Sequence, residues 1–289
     1  MSGGSVSIPV ALLRGEPMYE VGGRRVNRFD LYEAAVQSPE VQCRFFRALH
    51  GGEPLVLADD FSGAGGLARG WLGLSERYAS IATDRDELPL AHAYVRATER
   101  FGEGVFKRFG LQRASVVEAG GHVDVAVALN FGVSELQRRA ELVGYFRHSL
   151  FRLNNGGVMV VDTYGGPTAY DTGRYRVEAS LDGAGFVYEW EQRRGDPLTG
   201  RVECAMHFEV DGGTRVEDAF VYDWRLWSVP EVRDAMMEAG YRSTEVHLDY
   251  GVGSGEEDGP VLEAAALDGE PTVGIEGDED YVAYVVGRV

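Results

Sequence analysis

Short apolar runs alternate with amphipathic stretches over the first 165 residues of the chain. Four runs have the length and composition of buried strands, and they cover residues 54–60, 78–84, 123–130 and 156–164. A fifth, weaker run of the same kind covers residues 111–119. Between them, apolar residues recur at helical spacing over 67–78, 87–102 and 134–153. Strands that alternate with helices predict an α/β fold with a parallel sheet.

The pattern changes towards the carboxyl-terminal half of the chain. Apolar and polar residues alternate over 186–194, 202–210 and 214–224, and Asp-Pro and Asp-Gly-Gly turn signals join these segments. This predicts an antiparallel meander of three strands. A helix over 228–240 and strands over 243–250 and 280–289 follow, and the acidic, glycine-rich stretch 251–280 predicts a mobile surface loop.

Two short helices are predicted before the first buried strand, within residues 28–52. Ser38 and Pro39 form a helix start, and Gly51 and Gly52 form a helix end. We therefore predict a helical N-terminal cap over 1–50, an α/β core over 51–165 and 223–289, and an antiparallel insert over 166–222. The insert is expected to serve as a lid or as the surface of a homodimer.

Charge and cysteine content exclude several classes of function. The formal net charge of −18 disfavours nucleic-acid and anionic-membrane partners. The two cysteines, Cys43 and Cys204, lie far apart, and the six histidines show no metal-ligand spacing, so we expect no metal. With no basic, apolar leader at the start of the sequence, these features predict a reduced, cytoplasmic protein.

The segment 55–68, LVLADDFSGAGGLA, carries the clearest chemical signal. Gly63 and Gly65 form a turn between a strand and a helix, where a ligand can approach backbone N–H groups. Asp84 ends the next strand, at the position where an acid accepts hydrogen bonds from ribose hydroxyls. The glycines also fit the dinucleotide pattern GxGxxA, so an NAD(P)-dependent oxidoreductase is one alternative.

The pattern Asp59-x-x-x-Gly63-x-Gly65 resembles motif I of the class I S-adenosylmethionine-dependent methyltransferases, with Phe61 in place of that motif's first glycine. Later segments resemble the same family in the same order, over about 28–165 and 223–289. The resemblance implies a Rossmann-like, seven-stranded mixed sheet whose last strand is antiparallel. It also implies S-adenosylmethionine as the cofactor and methyl transfer to a nitrogen or oxygen of a small molecule. A catalytically silent cofactor-binding or interaction protein is the alternative from another class.

The resemblance and the loop pattern together give the candidate site residues. The expected cofactor-binding residues are Asp59, Phe61, Ser62, Gly63, Gly65, Asp84, Arg85, Ser115, Asn130 and Phe131. Ser115 is included because the aligned third strand lacks the acid that often binds adenine in the family. Tyr164 follows the fifth strand, at the carboxyl edge of the sheet, and is a candidate catalytic residue. His207 lies on the polar face of the insert and is a second candidate if that face covers the site. Aromatic residues of the insert, among them Tyr222 and Trp224, are candidates for stacking the acceptor, and the N-terminal helices around Phe29 and Tyr32 are the alternative place for its pocket.

Overall fold

The computed structural model describes residues 10–248 and 280–289. The predicted surface loop over 251–280 therefore lies outside the described residues, apart from Asp280. The N-terminal part contains a 3-10 turn over Val10–Gly15, a hairpin of β1 (Tyr19–Val21) and β2 (Arg24–Val26), and two helices, α1 (Arg28–Val36) and α2 (Pro39–His50).

Local sequence explains where the two N-terminal helices begin. Asn27 accepts hydrogen bonds from the first backbone amides of α1, and Asp30 returns a bond to the amide of Asn27, which completes a capping box. Pro39 occupies the first position of α2, where its missing N–H costs nothing. The Asp30 carboxylate also accepts two hydrogen bonds from Arg96, which attaches α1 to the α/β core.

The core is one seven-stranded sheet of mixed direction. Its strands in chain order are β3 (Val56–Asp60), β4 (Ala79–Asp84), β5 (Phe109–Arg113), β6 (Val123–Ala128), β7 (Leu153–Gly165), β12 (Ser243–His247) and β13 (Tyr281–Arg288). Their order in space is β12-β13-β7-β6-β3-β4-β5. The β3, β4, β5, β6 and β7 strands are parallel, whereas β13 is antiparallel to both of its neighbours. The predicted mixed sheet with an antiparallel last strand is confirmed.

Helices cover both faces of this sheet, as a parallel sheet with two apolar faces requires. They are α3 (Gly66–Leu74), α4 (Glu87–Phe101), α5 (Arg139–Arg152) and α6 (Val229–Ala239). Tyr145, Phe146 and Trp227 are fully buried in the apolar cluster on one face, and Phe45 and Trp71 lie in a second cluster that contains residues of α2 and α3. Among the described residues, no helix is both long and apolar enough to cross a membrane.

Residues 173–225 form a separate antiparallel sheet of four strands, not the three that the sequence predicts. The strands are β8 (Gly173–Leu181), β9 (Ala184–Asp196), β10 (Arg201–Val210) and β11 (Thr214–Arg225), in the order β11-β10-β9-β8. The additional strand is β8, and Asp182 and Gly183, both with positive φ, make its tight turn into β9. An Asp-Gly pair between two strands is a hairpin signal that the sequence interpretation overlooked.

Candidate functional site

The loop after β3 is built from residues in the left-handed region. Phe61, Gly63 and Gly65 have φ values of 56°, 51° and 70°, and α3 begins directly afterwards. A side chain on Gly65 would lie 3.3 Å from the Cβ of Ala93, so this glycine is needed for packing within the core. A side chain on Gly63 would meet no atom within 4 Å. Gly63 is therefore the glycine of this turn that faces open space.

Asp84 links this loop to the end of β4. Its carboxylate accepts a hydrogen bond from the backbone amide of Gly63 at 2.7 Å and one from the amide of Asp86 at 2.9 Å. Burial raises the pKa of Asp84 above its ordinary value, although these two hydrogen bonds oppose the shift. Each carboxylate oxygen has further lone pairs, so Asp84 can still accept hydrogen bonds from a ligand.

Asp59, one of the predicted cofactor-binding residues, makes its contacts with the start of α3. It is buried, and its carboxylate accepts a hydrogen bond from the amide of Ala68 at 3.2 Å, within the first turn of α3. Burial raises the pKa of Asp59 well above its ordinary value. Asp59 does not line the main cavity described below, and its contacts stabilise the start of α3.

The turn after β6 contains two consecutive left-handed residues, Asn130 and Phe131, with φ values of 55° and 61°. Asp162 of β7 accepts hydrogen bonds from both backbone amides, at 2.9 Å from Asn130 and 2.7 Å from Phe131. Burial raises the pKa of Asp162 to about 7. Asp162 thus fixes a turn whose backbone is otherwise unfavourable for residues with side chains.

A cavity of about 620 Å³ lies at the carboxyl ends of the parallel strands. The loops after β3, β4 and β6 form one side of it. The candidate residues among its lining are Phe61, Ser62, Gly63, Asp84 and Asn130. The hydroxyl of Ser62 is buried and has no hydrogen-bond partner within the described residues.

A second cavity of about 150 Å³ shares part of its lining with the first. Phe61 and Asp84 line both, and Arg85 and Ser115 line the small one only. Arg85 forms an ion pair of 2.6 Å with Glu135, which also lines both cavities. Burial raises the pKa of Glu135. The structure thus brings Phe61, Ser62, Gly63, Asp84, Arg85, Ser115 and Asn130 together around two neighbouring cavities.

The opposite side of the main cavity is aromatic, and we call it the aromatic wall. It consists of Phe29 and Tyr32 of α1 and Phe220, Tyr222 and Trp224 of β11. The ring centroids of Tyr32 and Phe220 are 5.2 Å apart, and those of Tyr222 and Trp224 are 4.3 Å apart. Arg28 donates a hydrogen bond to the carbonyl of Ala219 at 2.8 Å, which attaches β11 to α1.

Of these five residues, Tyr222 and Trp224 belong to the aromatic residues of the insert that the sequence offers as acceptor contacts, and Phe29 and Tyr32 lie where it places the alternative pocket. Phe220 alone is not anticipated. A signal for three of them exists, because residues 220, 222 and 224 are aromatic at every second position of one strand. Phe29 and Tyr32 carry no comparable signal. They reach the cavity because α1 packs against a strand about 190 positions further along the chain.

The condition under which His207 would reach the acceptor is not met, because the aromatic face of β11 lines the main cavity. His207 lies on the other face, buried, with Nε2 3.2 Å from a carboxylate oxygen of Glu191 and Nδ1 accepting a hydrogen bond from the amide of Asp218. The side-chain atoms of Glu191, His207 and Asp218 that could ligate a metal ion lie within 4.8 Å of one another. Arg193, however, already forms ion pairs with both carboxylates. His207 is therefore held within an ion-pair network, away from the cavity.

Tyr164 and Phe131 lie beside the main cavity and are not part of its lining. Their rings pack edge to face at 4.8 Å, and both line a groove of about 290 Å³ with Trp190. The hydroxyl of Tyr164 is 3.3 Å from the side-chain oxygen of Gln192. Burial raises the pKa of Tyr164, so its hydroxyl is a poor proton acceptor near neutral pH. The geometry gives Tyr164 no contact with the main cavity.

No protein-family model matches the chain, and no curated protein matches it in sequence. Solved structures do match it. The CcbJ methyltransferase from Streptomyces caelestis is 17% identical, with a TM-score of 0.62, over 88% of this chain and 97% of that one. The sugar N-methyltransferase KedS8 from Streptoalloteichus sp. is 18% identical, with a TM-score of 0.59, over 100% and 98%.

A third similar structure is that of CalS10 with S-adenosylmethionine bound, an amino pentose methyltransferase from Micromonospora echinaspora. It is 14% identical, with a TM-score of 0.59, and covers 90% of this chain and 95% of that chain. The chain has the class I methyltransferase fold. These three alignments cover 88 to 100% of this chain and 95 to 98% of the other chains.

Proposed function

We propose that the protein transfers a methyl group from S-adenosylmethionine to a nitrogen or oxygen of a small molecule, with an amine nitrogen as the preferred acceptor. The main cavity carries this proposal. The glycine turn and Asp84 form one of its sides, and five aromatic rings form the other. Its volume of about 620 Å³ lies in the range of small-molecule sites, which supports a cofactor and a small acceptor bound together.

The residues around the cavities suit the proposed cofactor. The carboxylate of Asp84 retains lone pairs for the two ribose hydroxyls, and Gly63 leaves space where the backbone meets the ligand. The unpartnered hydroxyl of Ser62 is a buried polar group that a ligand would satisfy. When bound, S-adenosylmethionine supplies a methyl group that its sulfonium has already activated.

The lining also favours an amine over a hydroxyl as the acceptor. No histidine or lysine is among the residues that line the main cavity in the described part of the chain, so a proton acceptor there would have to be a carboxylate such as that of Glu87 or Glu135. A hydroxyl has to lose its proton to react well, whereas a neutral amine attacks with its lone pair. The aromatic wall can stabilise the positive charge that develops on the nitrogen. The descriptions of KedS8 and CalS10 support the same preference.

The protein's own contribution to the reaction is then mainly geometric. The turn that Asp162 fixes and the aromatic wall would hold the acceptor opposite the cofactor and exclude water. Holding two reactants in a reactive geometry accounts for a large part of the rate in reactions of this kind. The proposal assigns no catalytic proton transfer to His207 or Tyr164, since neither lines the main cavity.

Isothermal titration calorimetry of the purified chain with S-adenosylmethionine, S-adenosylhomocysteine and NAD⁺ tests the cofactor. We expect both sulfur compounds to bind and NAD⁺ not to bind. Turnover is then measured by S-adenosylhomocysteine release with a panel of small amines and matched alcohols. Binding of NAD⁺ alone would support the oxidoreductase, and binding without turnover of any acceptor would support a silent cofactor-binding protein.

A further inference from the structure

Phe61 is fixed in an unfavourable backbone conformation at the end of β3. Its φ of 56° lies in the left-handed region, which side chains other than glycine rarely adopt. The Phe61 ring packs edge to face against Tyr145, with centroids 5.5 Å apart. Tyr145 in turn donates a hydrogen bond to the buried carboxylate of Asp60 at 3.0 Å. The Phe61 ring therefore packs on a buried tyrosine whose position is fixed by a hydrogen bond.

Gly132 provides the space that the Phe61 side chain needs. A Cβ on Gly132 would lie 2.9 Å from the Cβ of Phe61 and 3.0 Å from its Cγ. These two atoms are close to the backbone, so they cannot swing aside as the end of a long side chain could. Gly132 does not have a positive φ, so glycine is required here for space and not for backbone conformation. A side chain at position 61 thus depends on the absence of one at position 132.

The pair lies where the two cavities meet. Phe61 lines both of them, and Gly132 begins the short turn Gly132–Glu135. The last residue of that turn, Glu135, forms the ion pair with Arg85 beside the small cavity. Displacement of the Phe61 ring by a side chain at position 132 would therefore move this turn and change the shape of the small cavity.

We propose that Phe61 and Gly132 form a specificity-determining pair for the nucleoside part of the cofactor. The Phe61 ring separates the two cavities and offers an apolar surface against which the nucleoside packs, and the missing side chain at Gly132 makes room for that ring. This inference rests on the proposed function. It explains why Phe61 stands where the family motif has its first glycine. The Phe61 ring provides a contact with the nucleoside that a glycine could not, at the cost of backbone strain.

Calorimetry with S-adenosylhomocysteine and with adenosine tests the pair. The variants are Phe61→Gly, Gly132→Ala and the double variant, and Gly144→Ala serves as the control because a side chain there would meet no atom within 4 Å. We expect Phe61→Gly and Gly132→Ala each to weaken both ligands at least tenfold. In the Phe61→Gly background, Gly132→Ala should change the affinity less than twofold. Gly144→Ala should leave both affinities within twofold of those of the original protein.

The results separate this inference from the proposed function. If the original protein binds no S-adenosylhomocysteine, the proposed function fails and the pair fails with it. If it binds and Phe61→Gly binds equally well, only the pair is wrong. The pair is also wrong if the two substitutions weaken binding independently, so that the affinity loss of the double variant is the product of the two single losses. Thermal melts check folding, and if Gly132→Ala does not fold, the affinity of Phe61→Gly alone decides the outcome.

Discussion

The backbone amide of Phe131 donates a hydrogen bond of 2.7 Å to the carboxylate of Asp162, which lies 31 positions later in the chain. The amide of Asn130 donates a second one at 2.9 Å. Both donors are left-handed residues, a conformation that costs about 1 to 2 kcal/mol each for residues with a Cβ. The carboxylate on β7 therefore stabilises the loop after β6, which contributes Asn130 to the main cavity.

The substitution Asp162→Asn should change how stability depends on pH. The pKa of Asp162 is about 7 in the folded protein and about 3.9 for an unfolded aspartate. Between these values the folded state binds more protons, so this group lowers the free energy of unfolding as the pH rises from about 4 to 7. The asparagine variant lacks this effect. We expect the loss of stability on substitution to be larger at pH 5 than at pH 8, by roughly 2.5 kcal/mol.

Urea unfolding of both proteins at the two pH values measures this difference. A loss of stability that is the same at pH 5 and pH 8 would contradict the raised pKa of Asp162.

The substitution Asp84→Ala should weaken S-adenosylhomocysteine binding by about 10- to 150-fold. It removes a charged acceptor for the two ribose hydroxyls, and water replaces part of what is lost. The net loss is therefore about that of one charge-assisted hydrogen bond, about 1.5 to 3 kcal/mol. Asp124→Ala is the matched control, because Asp124 also accepts two backbone amides, those of Leu55 and Val56, and does not line the cavities. Calorimetry should show unchanged affinity for the control, and equal affinities for the two variants would rule out a ribose contact for Asp84.

Substitutions at the two glycines of the turn should have different effects, although both have positive φ. Gly65→Ala should lower the melting temperature more, because its Cβ would crowd Ala93 in the core. Gly63→Ala adds its methyl group towards the main cavity, so it should lower cofactor affinity at least tenfold with a smaller loss of stability. Melting curves and calorimetry on the same samples measure both effects. Unchanged affinity of Gly63→Ala would show that the cofactor does not approach this glycine.

The aromatic wall should determine the acceptor and leave cofactor binding unaffected. Phe220→Ala removes a ring that contacts Phe29 and Tyr32, so we expect the KM for the acceptor to rise about tenfold with the cofactor Kd unchanged. Asp223→Ala is the control, because Asp223 lies on the opposite face of the same strand and pairs with Arg201. Steady-state kinetics with the best acceptor from the panel would refute this prediction if KM did not change.

The central sheet could be predicted because its strands are buried on both faces and therefore form continuous apolar runs. The strand β8 has no such run, because five consecutive residues of it are exposed. Only the alternation of apolar and polar residues over 174–181 and the Asp-Gly turn after it mark it as a strand. The faces of β10 were predicted correctly, with His207 opposite Cys204 and Met206. Alternation alone does not reveal which face meets the rest of the protein. Here the apolar face does, and half-exposed ion pairs on the polar face cover His207.

In the candidate site, too, some residues are recognisable from a short stretch of sequence and others are placed by contacts between distant parts of the chain. The glycine turn is recognisable because it follows a strand and Asp84 because it ends the next one, and the carboxyl ends of parallel strands meet at one edge of the sheet. The aromatic wall depends on contacts between α1 and β11, which no short sequence pattern encodes. The bracing role of Asp162 also depends on pairing between distant strands.

The two faces of β11 have different roles, because one lines the main cavity and the other forms ion pairs. The aromatic positions 220, 222 and 224 line the main cavity together with Val221, whereas Arg215, Glu217 and Asp223 form ion pairs on the outer face of the insert. Because alternate residues of a strand point in opposite directions, the cavity can be reshaped through three positions while the outer network stays intact. Descendants of this sequence could thus acquire new acceptors by a few substitutions in a single strand, with the cofactor loops and the central sheet preserved.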